Sequence, residues 1–407
     1  MSGNRAGESG GAVYVEGKKN EGTGTSTGGT FTLQSSDSAI SGNNAANYGG
    51  GVYIAGSEVS GGGGTAQISS YGTIRGNTAD CGGGVYIAGS EVSGGGGKLT
   101  TYEFTITGNN AAASGGGMYM ADSGVSGGGA TCTMNSSSGQ SGTISGNTAT
   151  NGGGIYAGSN STLTMTAGTI SGNTATNGGG LYVTGTNAKF TMGNGTIRDN
   201  MAVSGTGSSY GGGVYVHSGS FDMNGGSITG NTVSATNGGG VYLFEGSFKM
   251  TAGSITGNET KQGGGGVFSH KGTFTMTDGS ITGNKAGVNG GGVFLDHSGS
   301  KYIMEGGNVT GNTATSSGGG VYVSGNGGAF EMSGGAKVDE APGNEIYLPA
   351  GNLITIAANL TQTYAGNINP QGGSGTPVLG GTIISANCNK FLVNGETGKI
   401  GTDGKLQ

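Results

Sequence analysis

The sequence predicts an all-β fold: a parallel β-helix of three sheets and about eleven or twelve coils, followed by a small β-rich C-terminal cap or unit. Three observations lead there. A glycine triplet followed by an apolar residue and an aromatic recurs along most of the chain. Two further short segments, each alternating apolar with other residues, follow the triplet in the repeats. Nothing in the repeats spaces apolar residues as a helix does, whereas alternation marks a half-buried strand.

The glycines number 101 of 407 residues, with four prolines and only 9% charged residues. A glycine share this high without a period would mean a low-complexity coil. Four prolines and no Gly-X-Y repeat exclude collagen. A period is present. Indexed by its aromatic, the motif falls at Tyr14, Tyr53, Tyr86, Tyr119, Tyr156, Tyr182, Tyr215, Tyr242, Phe268, Phe294 and Tyr322. Successive gaps are 39, 33, 33, 37, 26, 33, 27, 26, 26 and 28. The recurring minimum of 26 is the unit, and longer gaps carry insertions. A period in this range signals a solenoid, propeller or array.

One unit shows the three elements in order: Gly211-Gly-Gly-Val-Tyr-Val216, Ser220-Phe-Asp-Met223 and Ser227-Ile-Thr-Gly-Asn231. Gly, Asn and Ser separate them, as turns require. Three short strands in this length describe one coil of a β-helix, because a propeller blade needs four strands and roughly 40–50 residues. In the first strand the flanking pairs (Val52/Ile54, Val85/Ile87, Leu181/Val183, Val214/Val216, Val241/Leu243, Val321/Val323) point inward, so the aromatic points outward. In the second strand Phe248 and Met250 point in, and the slot between them (Thr164, Thr191, Asp222, Lys249, Thr275, Glu331) points out. Ile228 and its equivalents fill the third wall. One coil buries too little to offset the entropy of ordering it, so coils must stack.

An asparagine closes the third strand in nearly every coil: Asn43, Asn77, Asn109, Asn147, Asn173, Asn200, Asn231, Asn258, Asn284 and Asn312. Asparagine tolerates turn backbone, and its amide both donates and accepts. Stacked one coil apart, the amides are expected to form an internal structural ladder; a ligand-binding polar row is the functional alternative.

Residues 1–340 read as repeats and 341–407 as a degenerate last coil plus a C-terminal β cap or unit. Glu345–Leu348 looks like a further first strand, and Leu353–Leu360, Val378–Ile384 and Lys390–Val393 like strands of a different, smaller unit or cap. All four prolines, Pro342, Pro349, Pro370 and Pro377, lie in this region. The opening Met1-Ser-Gly-Asn4 reads as the end of a third strand, so the chain is expected to be a fragment starting in mid-coil, with end-to-end self-association through unpaired edges. Residues 49–64 repeat at 82–97 and residues 142–154 at 168–180, the mark of duplication. The first pair carries a Gly/Ser insertion, echoed at Ala121–Ala130, expected to project as stacked loops.

The GGG(V/I)Y and I(T/S)GN signatures resemble those of surface-exposed right-handed β-helix proteins of host-associated bacteria. The chlamydial polymorphic outer membrane proteins, with GGA(I/L/V) and FxxN repeats, are looser relatives. The stretch Tyr347-Leu-Pro-Ala-Gly-Asn-Leu-Ile-Thr-Ile356 and the ending Gly401-Thr-Asp-Gly-Lys-Leu406 look closer to large repeat proteins of treponemes and gut bacteria. The resemblance covers nearly the whole chain. It implies a secreted or outer-surface, autotransporter-like passenger with an adhesive or structural role toward a host protein or glycan. Right-handedness follows from this resemblance and from the general crossover preference.

Chemistry is sparse. A net charge of −6 and no basic stripe argue against nucleic acid. No apolar run approaches the ~20 residues of a membrane span. Cys81, Cys132 and Cys388 form neither a disulfide framework nor a zinc pattern, and no cofactor motif is present. The catalytic alternative is a polysaccharide lyase or hydrolase, for which the best cluster is the slot two beyond the aromatic: His217, Phe244, His270 and Asp296, with His297 adjacent. The other candidate is the outward aromatic column itself, Tyr53 to Tyr322, as a stripe for sugars or apolar partners; the alternative is that its rings stabilise one another. The expectation is therefore a non-enzymatic module.

Overall fold

The computed structural model describes residues 1–18, 28–137, 139–205, 207–325, 327–339, 341, 343–381 and 384–407. It divides into two compact units: unit 1, Met1–Thr206 with Gly212–Phe221, and unit 2, Gly207–Gly211 with Asp222–Gln407. Each is a stack of parallel β-helix coils.

In unit 1 the first wall runs through Val13–Val15, Val52–Ile54, Val85–Ile87, Met118–Met120, Ile155–Ala157, Leu181–Val183 and Val214–Val216. All pair in parallel and in register, so Tyr14, Tyr53, Tyr86, Tyr119, Tyr156, Tyr182 and Tyr215 stand in one row. The second wall runs from Thr30–Gln34 to Lys189–Met192 and the third from Ala39–Ser41 to Thr196–Arg198. Unit 2 repeats the plan, with first-wall strands from Val241–Leu243, second-wall strands from Ser247–Met250 and third-wall strands from Ser227–Thr229.

Sequence alternation becomes burial alternation. First-wall strands typically bury their outer two residues, and Phe248/Met250 or Phe274/Met276 bury while Lys249 and Thr275 between them do not. A two-residue fourth ladder follows the asparagine, as at Asn44–Ala45 with Thr78–Cys81 in unit 1 and Lys285–Ala286 with Thr313–Ala314 in unit 2. It adds a short side to the three expected. Ala45 and Ala286 are buried there, which explains why a small residue recurs two places after the asparagine.

The glycine triplet has a geometric cause. Gly49 takes φ +64°, the left-handed region open to glycine. A Cβ on Gly50 would stand 2.4 Å from the Thr78 carbonyl oxygen, and one on Gly51 would stand 2.7 Å from that of Gly84. Here the backbones of neighbouring coils meet directly, with Gly50 N–H donating to Gly82 and Gly51 N–H to Gly84. The triplet turns the chain once and then admits the next coil at a distance no side chain permits.

Residues 341–407 continue the walls of unit 2. Ile346–Leu348 continues the first wall, as Val321 pairs with Ile346. Ile354–Leu360 and Leu379–Gly381 then extend the second wall, and Gly366–Pro370 and Phe391–Val393 the first. The strands read as a smaller unit or cap thus add to the walls of unit 2. The reason is that Ile354, Ile356, Ile368, Phe391 and Val393 keep the inward alternation without the glycine triplet. Pro342 and residues 382–383 of the expected Val378–Ile384 strand lie outside the described residues.

Candidate functional site

The asparagines are placed first, since they recur most. In unit 1 the Asn77 side-chain oxygen accepts from both the backbone N–H and the Nδ2 of Asn43, each at 2.9 Å. Asn77 Nδ2 donates to the Ile40 carbonyl at 3.0 Å and to Asn109 Oδ1 at 2.9 Å. The pattern continues through Asn147, Asn173 and Asn200, and in unit 2 through Asn231, Asn258, Asn284 and Asn312. These ten are at most 1% exposed. Asn4 and Asn344, which the sequence reading left out, join the ladders of unit 1 and unit 2. The amides are bonded to one another inside the wall, so they offer no polar row to a ligand. Each turn glycine before them holds a positive φ; Asp199 stands in that place with φ 55°, held by Arg198 at 2.5 Å.

The aromatic column forms, but as an edge-on stack. In unit 1, Tyr14, Tyr53, Tyr86, Tyr119, Tyr156 and Tyr182 are stacked at 4.9, 5.1, 5.0, 4.6 and 5.3 Å between centroids, with interplanar angles of 14° or less. Tyr215 then turns edge-on to Tyr182 at 89°. In unit 2, Tyr242, Phe268, Phe294, Tyr322 and Tyr347 stack in the same way. Rings stacked on rings stabilise one another and present edges and hydroxyls outward. Tyr215, Tyr242 and Phe268 are buried, whereas Tyr14 is 56% exposed. A second row covers the column in places, Tyr48 against Tyr86 and Tyr210 against Tyr242. Burial, with the neighbouring Tyr14 and Tyr48 phenols, pushes the Tyr53 phenol up to about 12. Burial also raises Tyr182 to about 12 against an opposing hydrogen bond from Thr184, and raises Tyr86, Tyr119 and Tyr156 further.

The His/Asp cluster is divided. His217 belongs to unit 1, beside Tyr182 and Tyr215. In unit 2, His270 Nδ1 meets Asp296 Oδ2 at 2.8 Å, Phe244 stacks on His270 at 5.2 Å, and the His297 ring lies 5.4 Å away. Lys271 pairs with Glu245 at 3.5 Å and lies over the Phe244 ring. Asp296 also borders a pocket of about 200 Å³ with Asn237, Gln262, Asn289, Phe268 and Phe294. The arrangement can hold and orient an imidazole against one carboxylate.

A fourth feature is the set of insertions expected to project as stacked loops. In unit 1 the Gly/Ser insertions at Ser57–Gly64, Ser90–Gly97 and Ser123–Ala130 stack as ordered fins. Ser57 Oγ donates to the Lys18 carbonyl at 2.6 Å, Ser90 Oγ to Ser57 at 2.5 Å and Ser123 Oγ to Ser90 at 2.6 Å. Each hydroxyl also accepts from the N–H two residues on, at Val59, Val92 and Val125. Gly61 N–H donates to Gly94 and Gly94 N–H to Gly127. The signal was the serine at a constant offset in three insertions. Between the fins and the tyrosine column lies a groove of about 390 Å³.

Burial raises the Cys81 thiol to about 11, with Asp80 adding and a backbone hydrogen bond at Ser114 opposing, and burial raises Cys132 to about 12. Neither is a ready nucleophile at neutral pH. Among the described residues no three His, Cys, Asp or Glu side chains are grouped to hold a metal, and no helix is long and apolar enough to cross a membrane. No protein-family model, curated protein or solved structure matches this chain.

Proposed function

We propose that this chain is a non-enzymatic structural and adhesive module of a secreted or outer-surface protein, presenting the outer faces of its coils to a host protein or glycan. One observation carries the reading. The polar residue that the sequence repeats most faithfully, the ladder asparagine, is consumed inside the wall, while the outward slots vary from coil to coil. Repetition therefore builds the scaffold, and variation is left for recognition. The resemblance of the repeats to bacterial surface β-helix proteins supports the same reading and the extracellular location.

The test is binding of the whole chain to a broad glycan array and to host-cell surfaces, with saturable adhesion expected; absence of binding to both overturns it. The 2.8 Å contact of His270 with Asp296 favours one second reading, a polysaccharide-cleaving site in unit 2. Two carboxylates are the usual requirement for glycoside hydrolysis, and Glu245 beside this patch is engaged by Lys271. Release of reducing or unsaturated ends from polyuronates or neutral glycans, lost in His270→Ala, would establish the catalytic reading in its place.

A further inference from the structure

The residue just before the glycine triplet forms a column of its own, in register from coil to coil. In two coils it is a tyrosine laid over the aromatic of the following coil. Tyr48 of unit 1 meets Tyr86 at 4.8 Å with planes 38° apart, and Tyr210 of unit 2 meets Tyr242 at 4.7 Å and 41°. Where two asparagines follow one another they bond instead: in unit 1, Asn177 Nδ2 donates to Asn151 Oδ1 at 3.0 Å. In unit 2 the column runs Tyr210, Asn237, Gly263, Asn289, Ser317.

Gly263 breaks this column, with three consequences. The ring of the following coil, Phe294, has no tyrosine over it and lies against the gap: a Cβ on Gly263 would meet its Cδ2 at 2.8 Å. Its plane makes 18° with Phe268 and 23° with Tyr322, against 4° and 3° for the outer pairs of the same stack. Asn289, in register with Gly263, finds no side-chain oxygen there for its Nδ2, and Asn237 Oδ1 accepts from the Gly263 N–H at 2.9 Å. The gap opens into the pocket of about 200 Å³ bordered by Phe268, Phe294, Gln262, Asn289, Asp296 and the exposed Val288. A cavity of about 150 Å³ takes one benzene ring, so this pocket has room for one ring with a short substituent. Its floor is aromatic, and tilted rings attract at the spacings seen over Tyr86 and Tyr242. Its walls carry amides, which pair with a group that both donates and accepts, as a hydroxyl does. No cation among the described residues lines it to hold an anion.

We propose that this pocket of unit 2 binds a neutral p-alkylphenol. Its ring lies on Phe294 as Tyr210 lies on Tyr242, and its hydroxyl pairs with the side-chain amides around it. The chain itself thus shows the fit, since in two other coils it supplies the phenol from its own column. The same ring is borne by a free phenol and by a tyrosine side chain. The assignment is independent of the adhesive reading above.

The experiment is saturation-transfer NMR titration of the full chain with p-cresol, beside toluene, cyclohexanol and benzoate. Saturable binding of p-cresol is expected, about threefold or more tighter than toluene, which lacks the hydroxyl, with none for cyclohexanol or benzoate. Gly263→Asn restores the residue of the neighbouring coils, fills the gap and is expected to abolish binding. Asn289→Ala, which leaves Gly263 and the backbone as they are, is expected to weaken it about threefold or more and keeps the test open if Gly263→Asn folds poorly. Asn177→Ala, in the same column of unit 1, leaves it unchanged. The tripeptide Gly-Tyr-Gly separates the two sources: binding tighter than that of p-cresol assigns a partner's tyrosine, and weaker binding a free phenol. No saturable binding of p-cresol, cyclohexanol binding as tightly, or parental affinity in both Gly263→Asn and Asn289→Ala would each overturn the proposal.

Discussion

Units 1 and 2 solve one structural problem with different fillings. Unit 1 has coils spaced up to 39 residues apart, Gly/Ser fins, and a mixed row in its second wall, including Ala66, Leu99, Cys132, Leu163 and Phe190. Where that row holds Leu99 and Cys132, the third wall supplies the buried Phe104, in register with Gly72. A Cβ on Gly142 would strike the Phe104 ring at 1.8 Å. Unit 2 keeps short coils and fills the same row with Phe248, Phe274, Tyr302 and Phe330, stacked at 4.7–5.0 Å. Its outward column includes Phe268 and Phe294 where unit 1 carries tyrosines. What both units share is the asparagine ladder and the glycine platform, with Ala12 in its third position in the first coil. The fold therefore depends on backbone stacking and amide ladders; core volume and loop length are free to vary around them.

Alkali should separate the units most. The phenols of Tyr53, Tyr86, Tyr119, Tyr156 and Tyr182 form an unbroken run in unit 1, each raised above its ordinary 10.0 chiefly by burial, whereas in unit 2 the phenols raised in this way, Tyr242, Tyr302 and Tyr322, form no such run. A folded pKa above the unfolded one favours the protonated form, so the contribution is intact below pH 10. It is lost as the pH rises from 10 through about 12, the value for Tyr53 and Tyr182. Amide exchange is expected to collapse first in residues 52–183; simultaneous loss in residues 254–323 would break the comparison.

The ladder should show no difference between units. Asn77→Ala in unit 1 and Asn258→Ala in unit 2 each remove an oxygen that accepts two bonds and an Nδ2 that donates to a carbonyl and to the next amide. At about 1–3 kcal/mol for each buried group left unpaired, destabilisation of roughly 4 kcal/mol or more is expected for both in urea unfolding. A clear inequality would show that one unit holds its turns by other means.

The second wall should discriminate again. Phe274→Ala opens a cavity within a ring stack and is expected to cost about 3–5 kcal/mol. Leu99→Ala, with Ala66 and Cys132 already beside it and Phe104 near, should fall at the low end of about 2–5 kcal/mol. Equal losses would show that the mixed core of unit 1 packs as tightly as the ring stack. The smallest effect is a gain. Asp199→Gly relieves a left-handed residue in the one ladder turn of unit 1 that lacks glycine, and should stabilise by about 1 kcal/mol. The exposed Arg198–Asp199 pair offsets little of this.

Much of this was legible in the sequence because it is local and repeated. A glycine triplet that must pass a neighbouring backbone, a strand that alternates Phe-Lys-Met, and an asparagine at a constant offset each have one physical use, and their period states how they stack. The ladder in particular could be read from Asn43 to Asn312, since an amide that donates and accepts in line with copies of itself requires a partner at the same offset in the next coil. Of its terminal members, Asn4 lies in the segment read as the end of a third strand, whereas Asn344 escaped notice because the residues around it depart from the repeat.

What the tertiary structure alone decided lies between coils. That the tyrosines from Tyr14 to Tyr182 stack face to face while Tyr215 turns edge-on depends on how neighbouring coils stand against one another. That His270 reaches Asp296 while His217 lies in the other unit depends on which coils belong together. That a Gly/Ser insertion becomes an ordered fin rather than a loose loop depends on Ser57, Ser90 and Ser123 closing on carbonyls 33 or more residues away. Composition fixes what each residue can bond; only the register of the coils decides which partner stands within reach.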